Sequence, residues 1–119
     1  MNERSEPIVR VKPEELEALI GRIPYAGFLG LRPELRGDEL TVVMPYLERN
    51  IGNPMLPALH GGVIGALMEL TAVAQIYVSQ GAQRLPKTID VSIDYLRSGK
   101  PAECVARARV TRLGRRIAK

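Results

Sequence analysis

Apolar and polar positions alternate along the chain in three regimes: a short helical stripe, a block of extended pieces, and one long apolar run followed by more extended pieces. Leu16, Leu19, Ile20 and Ile23 recur at helical spacing behind Pro13-Glu14-Glu15. Proline at a first helical position and acids in the first turn suit a helix start. A short helix is therefore predicted to about Ile23, ended by Gly21 and Pro24. From Gly27 the pattern changes. Phe28–Leu35 reads as a strand interrupted by Pro33, Gly37-Asp38 as a turn, and Glu39–Tyr46 as the second arm of a hairpin with Leu40, Val42, Met44 and Tyr46 on one side. Glu48–Leu59 carries Pro54 and Pro57 and predicts an irregular connection. It delivers the chain through His60-Gly61-Gly62 into a helix that runs to about Ser79.

That helix is apolar almost all round. Val63, Ala66, Leu67, Leu70, Ala74 and Tyr77 share one face, and Ile64, Met68, Ala72 and Ile76 nearly complete the circumference. Such a helix has to be enclosed. Beyond the loop Gly81–Pro86, Thr88–Leu96 alternates cleanly, and residues 102–113 alternate again after the turn Ser98-Gly99-Lys100-Pro101. As antiparallel neighbours these two stretches would set Asp90 and Asp94 opposite Arg107 and Arg109, pairs contributing about 0.2–1 kcal/mol each. The order of elements gives an α+β class: a long central helix wrapped by a curved, mostly antiparallel sheet.

Composition narrows the function. The 119 residues make one domain, with residues 1–11 a loose arm and residues 1–24 an arm plus short helix ahead of the main unit, 25–119. A single cysteine, Cys104, excludes an intrachain disulfide and suits a reducing, cytoplasmic setting; the polar N-terminus has no secretory apolar region. Residues 63–78 interrupt their apolar run with Glu69 and Gln75 and are shorter than about 18 residues, which favours a buried core helix over a membrane span. The net charge of +4 is concentrated late, in Arg107, Arg109, Arg112, Arg115, Arg116 and Lys119. One phenylalanine and four scattered tyrosines make a poor stacking platform for nucleic acid. A phosphate-bearing small molecule and a merely solvated strand face are the two readings of this charge.

The candidate chemistry lies around the long helix. Glu69 has Gly65, Ala66, Ala72 and Val73 at three and four residues, none able to pair with it, so it is either a buried functional acid or a residue at a seam in the wrap. Gly61 and Gly62 at the helix start offer free amides that suit an oxyanion or a polarised carbonyl, or they simply make a tight turn. His60 is the only histidine, with no second histidine or cysteine spaced for a metal, and reads as an organiser of the loop. It precedes Glu69 by nine residues, about 13 Å along a helix axis. The two cannot hold one small reacting atom within a subunit, and joint action requires the loop of a second copy. Cys104 reads as a small strand residue; Asn53 and Thr88 are unremarkable alone.

Taken together, Asn53…His60-Gly61-Gly62-Val63…Glu69, then Thr88-Ile89-Asp90…Tyr95-Leu96-Arg97, then Val110…Arg112-Leu113-Gly114-Arg115-Arg116, resemble the hotdog-fold acyl-CoA thioesterases of the PaaI type over residues 25–119. The resemblance implies a central helix in an antiparallel sheet, joined subunits with active sites between them, and hydrolysis of an acyl-CoA to free acid and thiol. It implies Glu69 as nucleophile or general base, the Gly61 amide polarising the thioester carbonyl, and Asn53 and His60 ordering the water or the loop. Thr88 would stand near the acid. Arg115 and Arg116, with Gly62, would meet the coenzyme A. No cofactor is implied beyond coenzyme A itself, and the expected partners are a homodimer or dimer of dimers, with no nucleic acid and no membrane. His60 follows Asn53 by seven positions where many relatives have six, and relatives continue past the Arg-Arg strand, so the domain is expected to lack its last strand or strands. The competing readings are an acyl-thioester hydratase or dehydratase and a non-catalytic acyl-CoA-binding or scaffolding domain.

Overall fold

The computed structural model describes residues 11–81 and 84–119. The expected N-terminal arm lies almost wholly outside these residues, as do residues 82 and 83 of the loop after the long helix. Helix α1 spans Pro13–Gly21. The Lys12 amide donates to Glu15 Oε1 at 2.8 Å, and Leu16, Leu19 and Ile20 are buried. Pro24 does not end the helical region. It opens a second helix, α2, Pro24–Leu29, because a proline at a first helical turn lacks only an N–H that would be unpaired there. Phe28 is therefore helical and not part of a strand. Ala26 and Leu29, three apart, are the residues α2 buries, and Gly30 closes it with a left-handed φ of 73°. On the outer side the Phe28 ring stacks on Tyr25 with centroids 5.9 Å apart, and the Arg49 guanidinium lies over it at 4.3 Å.

The expected strand shrinks to β1, Arg32–Arg36, which pairs antiparallel with β2, Glu39–Met44, across a turn at Gly37 (φ 67°). Leu40, Val42 and Met44 point into the core, while Tyr46 lies past the strand and is exposed. The other edge of β2 takes β5, Cys104–Arg107, with Val43 opposite Val105, giving the order β1-β2-β5. The connection before the long helix is not wholly irregular. A 3₁₀ turn over Glu48–Asn50 leads into a two-stranded ribbon of β3, Ile51–Asn53, and β4, Ala58–Leu59. Both prolines sit in the loop between them, where no ladder bond is needed.

Helix α3, Gly61–Ser79, packs one side on the sheet through Leu67, Thr71, Ala74, Gln75 and Val78. By length and composition (mean hydropathy 1.5) it would pass for a membrane span, yet this side is committed to the core. Of its two buried polar residues, Thr71 donates to the Leu67 carbonyl within the helix and Gln75 is tied at both ends. Gln75 Nε2 donates to the Asp38 carbonyl at 3.1 Å and to Ser79 Oγ at 3.2 Å, and its Oε1 receives the Leu40 amide at 3.3 Å. Enclosure is one-sided, however: Gly62, Met68, Glu69 and Ala72 remain exposed on the opposite stripe.

The expected pairing of Thr88–Leu96 with residues 102–113 is not formed. Residues 84–103 run without a ladder partner, and β5 pairs with β2 on one edge and ends the sheet on the other. Among the described residues, Asp90 and Asp94 make no ion pair with Arg107 or Arg109; Arg107 Nε donates to Thr41 Oγ1 at 3.0 Å, and the ion pairs are those of Arg32 with Glu34 and Glu103. The 88–96 stretch instead lies along the glycine side of α3. A Cβ built on Gly65 would sit 3.0 Å from Ile93 Cδ1, and one on Gly61 would sit 3.4 Å from the Tyr95 ring. Its other residues face outward, with Ile89 78% and Leu96 89% exposed. Finally, Arg115 and Arg116 lie on a turn and not in a strand: Leu113 bridges Ala118, and the Gly114 amide donates to the Ile117 carbonyl at 2.9 Å.

Candidate active site

The site is assembled at the entry to α3. Asn53 Oδ1 accepts the amides of Met55 at 2.9 Å and Leu56 at 3.3 Å, an Asx-type turn that shapes the proline-rich loop. Gly52 lets this loop press against the helix start, since a Cβ there would lie 2.6 Å from His60 Cα. The ends of the ribbon are then fixed by backbone bonds. The His60 amide donates to the Asn50 carbonyl at 2.8 Å, and the Leu59 amide to that of Gly99 at 3.0 Å.

His60 is the N-cap. Its φ and ψ of −67° and 132° are extended, and its Nδ1 accepts the Gly62 amide at 2.8 Å. Accepting at Nδ1 requires a neutral ring protonated on Nε2. A histidine here does the work usually given to serine or aspartate. The His60 carbonyl receives the Val63 and Ile64 amides at 3.1 and 3.2 Å, while the Gly61 carbonyl receives the Tyr95 hydroxyl at 2.8 Å. Of the four polar atoms in the peptides His60–Gly61 and Gly61–Gly62, three are thus held. The fourth is the Gly61 N–H, which has no acceptor among the described residues. It is a fixed donor at the positive end of a 19-residue helix.

Glu69 stands eight residues further on, about 12 Å along the axis. It lies on the exposed stripe, with no hydrogen bond or ion pair among the described residues. The buried carboxylate entertained from the sequence is therefore absent from a single chain, because the sheet covers only the other side of α3. Within one subunit Glu69 and the Gly61 amide are not brought together. Thr88 is exposed at the start of the 88–96 stretch, and Arg115 and Arg116 are exposed at the tip of the C-terminal turn. Cys104 is half-buried; burial pushes its thiol up, with the Val105 amide pulling the other way, which makes it a poor nucleophile.

Two residues of this region escaped the sequence reading as parts of a site. Tyr95 was visible only as one member of an alternating strand and of a motif string. Asn50 is 1% exposed, and its Nδ2 has no partner among the described residues. An asparagine entering a short strand beside a glycine-proline loop was the only signal.

A family profile described as the thioesterase superfamily matches residues 56–119, more than half of the chain. The chain belongs to the thioesterase superfamily. The match contains His60, Gly61, Gly62, Glu69, Thr88, Tyr95, Arg115 and Arg116, and it begins after Asn53. A crystal structure of a protein described as from the same superfamily superposes with a TM-score of 0.81 at 24% identity, over 88% of this chain and 79% of that one. That likeness, with a long helix packed on an antiparallel sheet, is the hotdog fold. No curated protein matches the chain. Membership of the superfamily implies thioester hydrolysis.

Proposed function

We propose that this thioesterase-superfamily protein is an acyl-CoA thioesterase of the PaaI type, cleaving a coenzyme A thioester to free acid and thiol. The observation that carries the reading is the Gly61 N–H: a donor without a protein acceptor, at a helix N-terminus, with both flanking peptides held. Such a group suits the oxygen of a thioester carbonyl, and more so the oxyanion that forms as the carbonyl is attacked. Glu69 supplies the carboxylate, either taking a proton from water as it adds or attacking the carbonyl carbon itself. In the first course the C–S bond then breaks and the departing sulfur takes that proton. In the second the thiolate leaves a mixed anhydride on Glu69, which water hydrolyses, freeing the acid, restoring the Glu69 carboxylate and supplying the thiol's proton. Asn53 and His60 hold the loop and cap that set the donor, and Thr88 stands as the hydroxyl near the acid. Arg115 and Arg116 at the exposed turn tip, with Gly62 beside the donor, are assigned to the coenzyme A end.

The 12 Å between Gly61 and Glu69 requires a second copy, so that Glu69 of one subunit faces the Gly61 loop of the other. The unpaired 88–96 stretch, with Ile89, Val91 and Leu96 exposed, supports this, because such a backbone edge invites pairing with another chain. The proposed setting is a cytoplasmic homodimer or dimer of dimers.

Thiol release from short, medium, long and aryl acyl-CoAs tests the proposal, comparing the native protein with Glu69→Ala. Hydrolysis in the native protein and a loss of at least about a hundredfold in the folded variant are expected. Equal activity in both would remove Glu69 from the chemistry. Binding without thiol release would favour an acyl-CoA-binding domain, and water addition or loss without thiol release a hydratase or dehydratase.

A further inference from the structure

Tyr95 stands apart from the residues assigned above, yet it touches the peptide next to the donor. Its hydroxyl donates to the Gly61 carbonyl at 2.8 Å across 34 residues of sequence. Its ring lies in ordinary contact with the position a Gly61 Cβ would take, at 3.4 Å, and its Oη lies equally close to that of Gly65. The same peptide is gripped from its other end, where the Gly62 N–H donates to His60 Nδ1 at 2.8 Å. A peptide held through both its oxygen and its nitrogen cannot rotate about the flanking bonds. The Gly61 N–H belongs to the preceding peptide, whose carbonyl on His60 receives the Val63 and Ile64 amides, and with both peptides held its direction is fixed. This is needed here because glycine tolerates almost any backbone rotation, and two glycines in succession would otherwise leave the donor loosely aimed.

We propose that Tyr95 is a positioning residue for thioester hydrolysis, acting through the Gly61–Gly62 peptide to aim the Gly61 amide at the substrate oxygen. The proposal rests on the thioesterase reading with Gly61 as donor. Tyr95 does not touch the reacting atoms. Its hydroxyl completes a clamp whose other jaw is the His60 ring, and the clamp is tightest at Gly62, while a Cβ on Gly61 would be in ordinary contact with Tyr95. A Gly62 Cβ would meet the His60 ring at 3.0 Å, and a Gly65 Cβ would meet Ile93 at the same distance. Ile93, two residues before Tyr95, sets the segment against the helix so that the hydroxyl arrives at the carbonyl.

The deciding variant is Tyr95→Phe, which removes one oxygen and keeps the ring. Steady-state hydrolysis is measured beside Glu69→Gln, with thermal unfolding and the amide resonances of Gly61 and Gly62 followed in both. The expected result is a folded Tyr95→Phe protein whose kcat falls on the order of tenfold with KM little changed, since a misaimed donor costs the transition state more than the bound substrate. The Gly61 and Gly62 amide resonances move with it, and Glu69→Gln is inactive while those resonances stay in place. Full kcat in Tyr95→Phe with an inactive Glu69→Gln overturns the positioning role and leaves the thioesterase reading intact. A Tyr95→Phe protein that fails to fold makes the hydroxyl structural and also overturns it. Native-like turnover by Glu69→Gln overturns the reading of the site itself.

Discussion

At the scale of single residues, the assignment of a backbone atom can be tested by mutation because of where Gly61 stands. It is the first residue of α3, and His60 before it has φ −67° and ψ 132°. Proline is favoured at a first helical position, and the residue before a proline favours this extended conformation. Gly61→Pro therefore deletes the N–H and little else, a Cβ there meeting the Tyr95 ring at 3.4 Å, about van der Waals distance. The variant is expected to unfold within a few degrees of the native protein and to lose about a hundred- to a thousandfold in kcat, the range found for removal of one oxyanion donor. Calorimetry and thiol release check the two halves separately. This level of detail was partly legible in the sequence. His60-Gly61-Gly62 and the spacing to Glu69 lie along one helix, so periodicity alone places them. Tyr95 and Asn50 were not legible, because what matters about them is a partner in a distant element or the lack of one.

At the scale of elements, Gln75 shows how a polar residue can hold a helix on a sheet. It bridges α3 to the β1–β2 hairpin by receiving the Leu40 amide and donating to the Asp38 carbonyl. Gln75→Leu has room for a similar side chain but leaves a buried strand amide without an acceptor. A loss of about 1–3 kcal/mol is expected in urea unfolding. Ser79→Ala, which removes only one of the glutamine's partners, should cost less. From the sequence, Gln75 argued only against a membrane span, since nothing local marked the hairpin as its partner. Pro24 was read as a stop for the same kind of reason. A proline after one helix is also a permitted start for the next, and the burial of Ala26 and Leu29 decided between them. Pairing failed at Thr88–Leu96 because alternation reports that a stretch is extended but not which neighbour it takes. The structure pairs β2 with one edge of Cys104–Arg107, and 88–96 lies along α3 and not on the other edge.

At the scale of the whole molecule, that displaced stretch and the exposed stripe of α3 carry one prediction. Glu69 lies on the open stripe of α3 and Gly61 at the start of the same helix, about 12 Å apart along its axis, which is too far for a shared carbonyl group. If each site takes Glu69 from one copy and the loop from the other, two inactive variants can rescue each other. Glu69→Gln lacks the acid but keeps the donor; Gly61→Pro keeps the acid but lacks the donor. A mixed dimer then contains one site with both defects and one site with neither. Unfolding and refolding the two variants together at equal concentration should restore about a quarter of native activity, since half the dimers are mixed and each holds one native site of two. Refolded separately and combined without exchange, they should remain inactive. Sedimentation supplies the companion measurement, with a mass of at least twice 13.1 kDa expected at assay concentration. A protein that sediments as a monomer and hydrolyses thioesters at the native rate would place both groups in one chain by a rearrangement of α3. Rescue in the mixed sample would instead fix the catalytic unit as two copies, each lending the other the group its own helix holds out of reach.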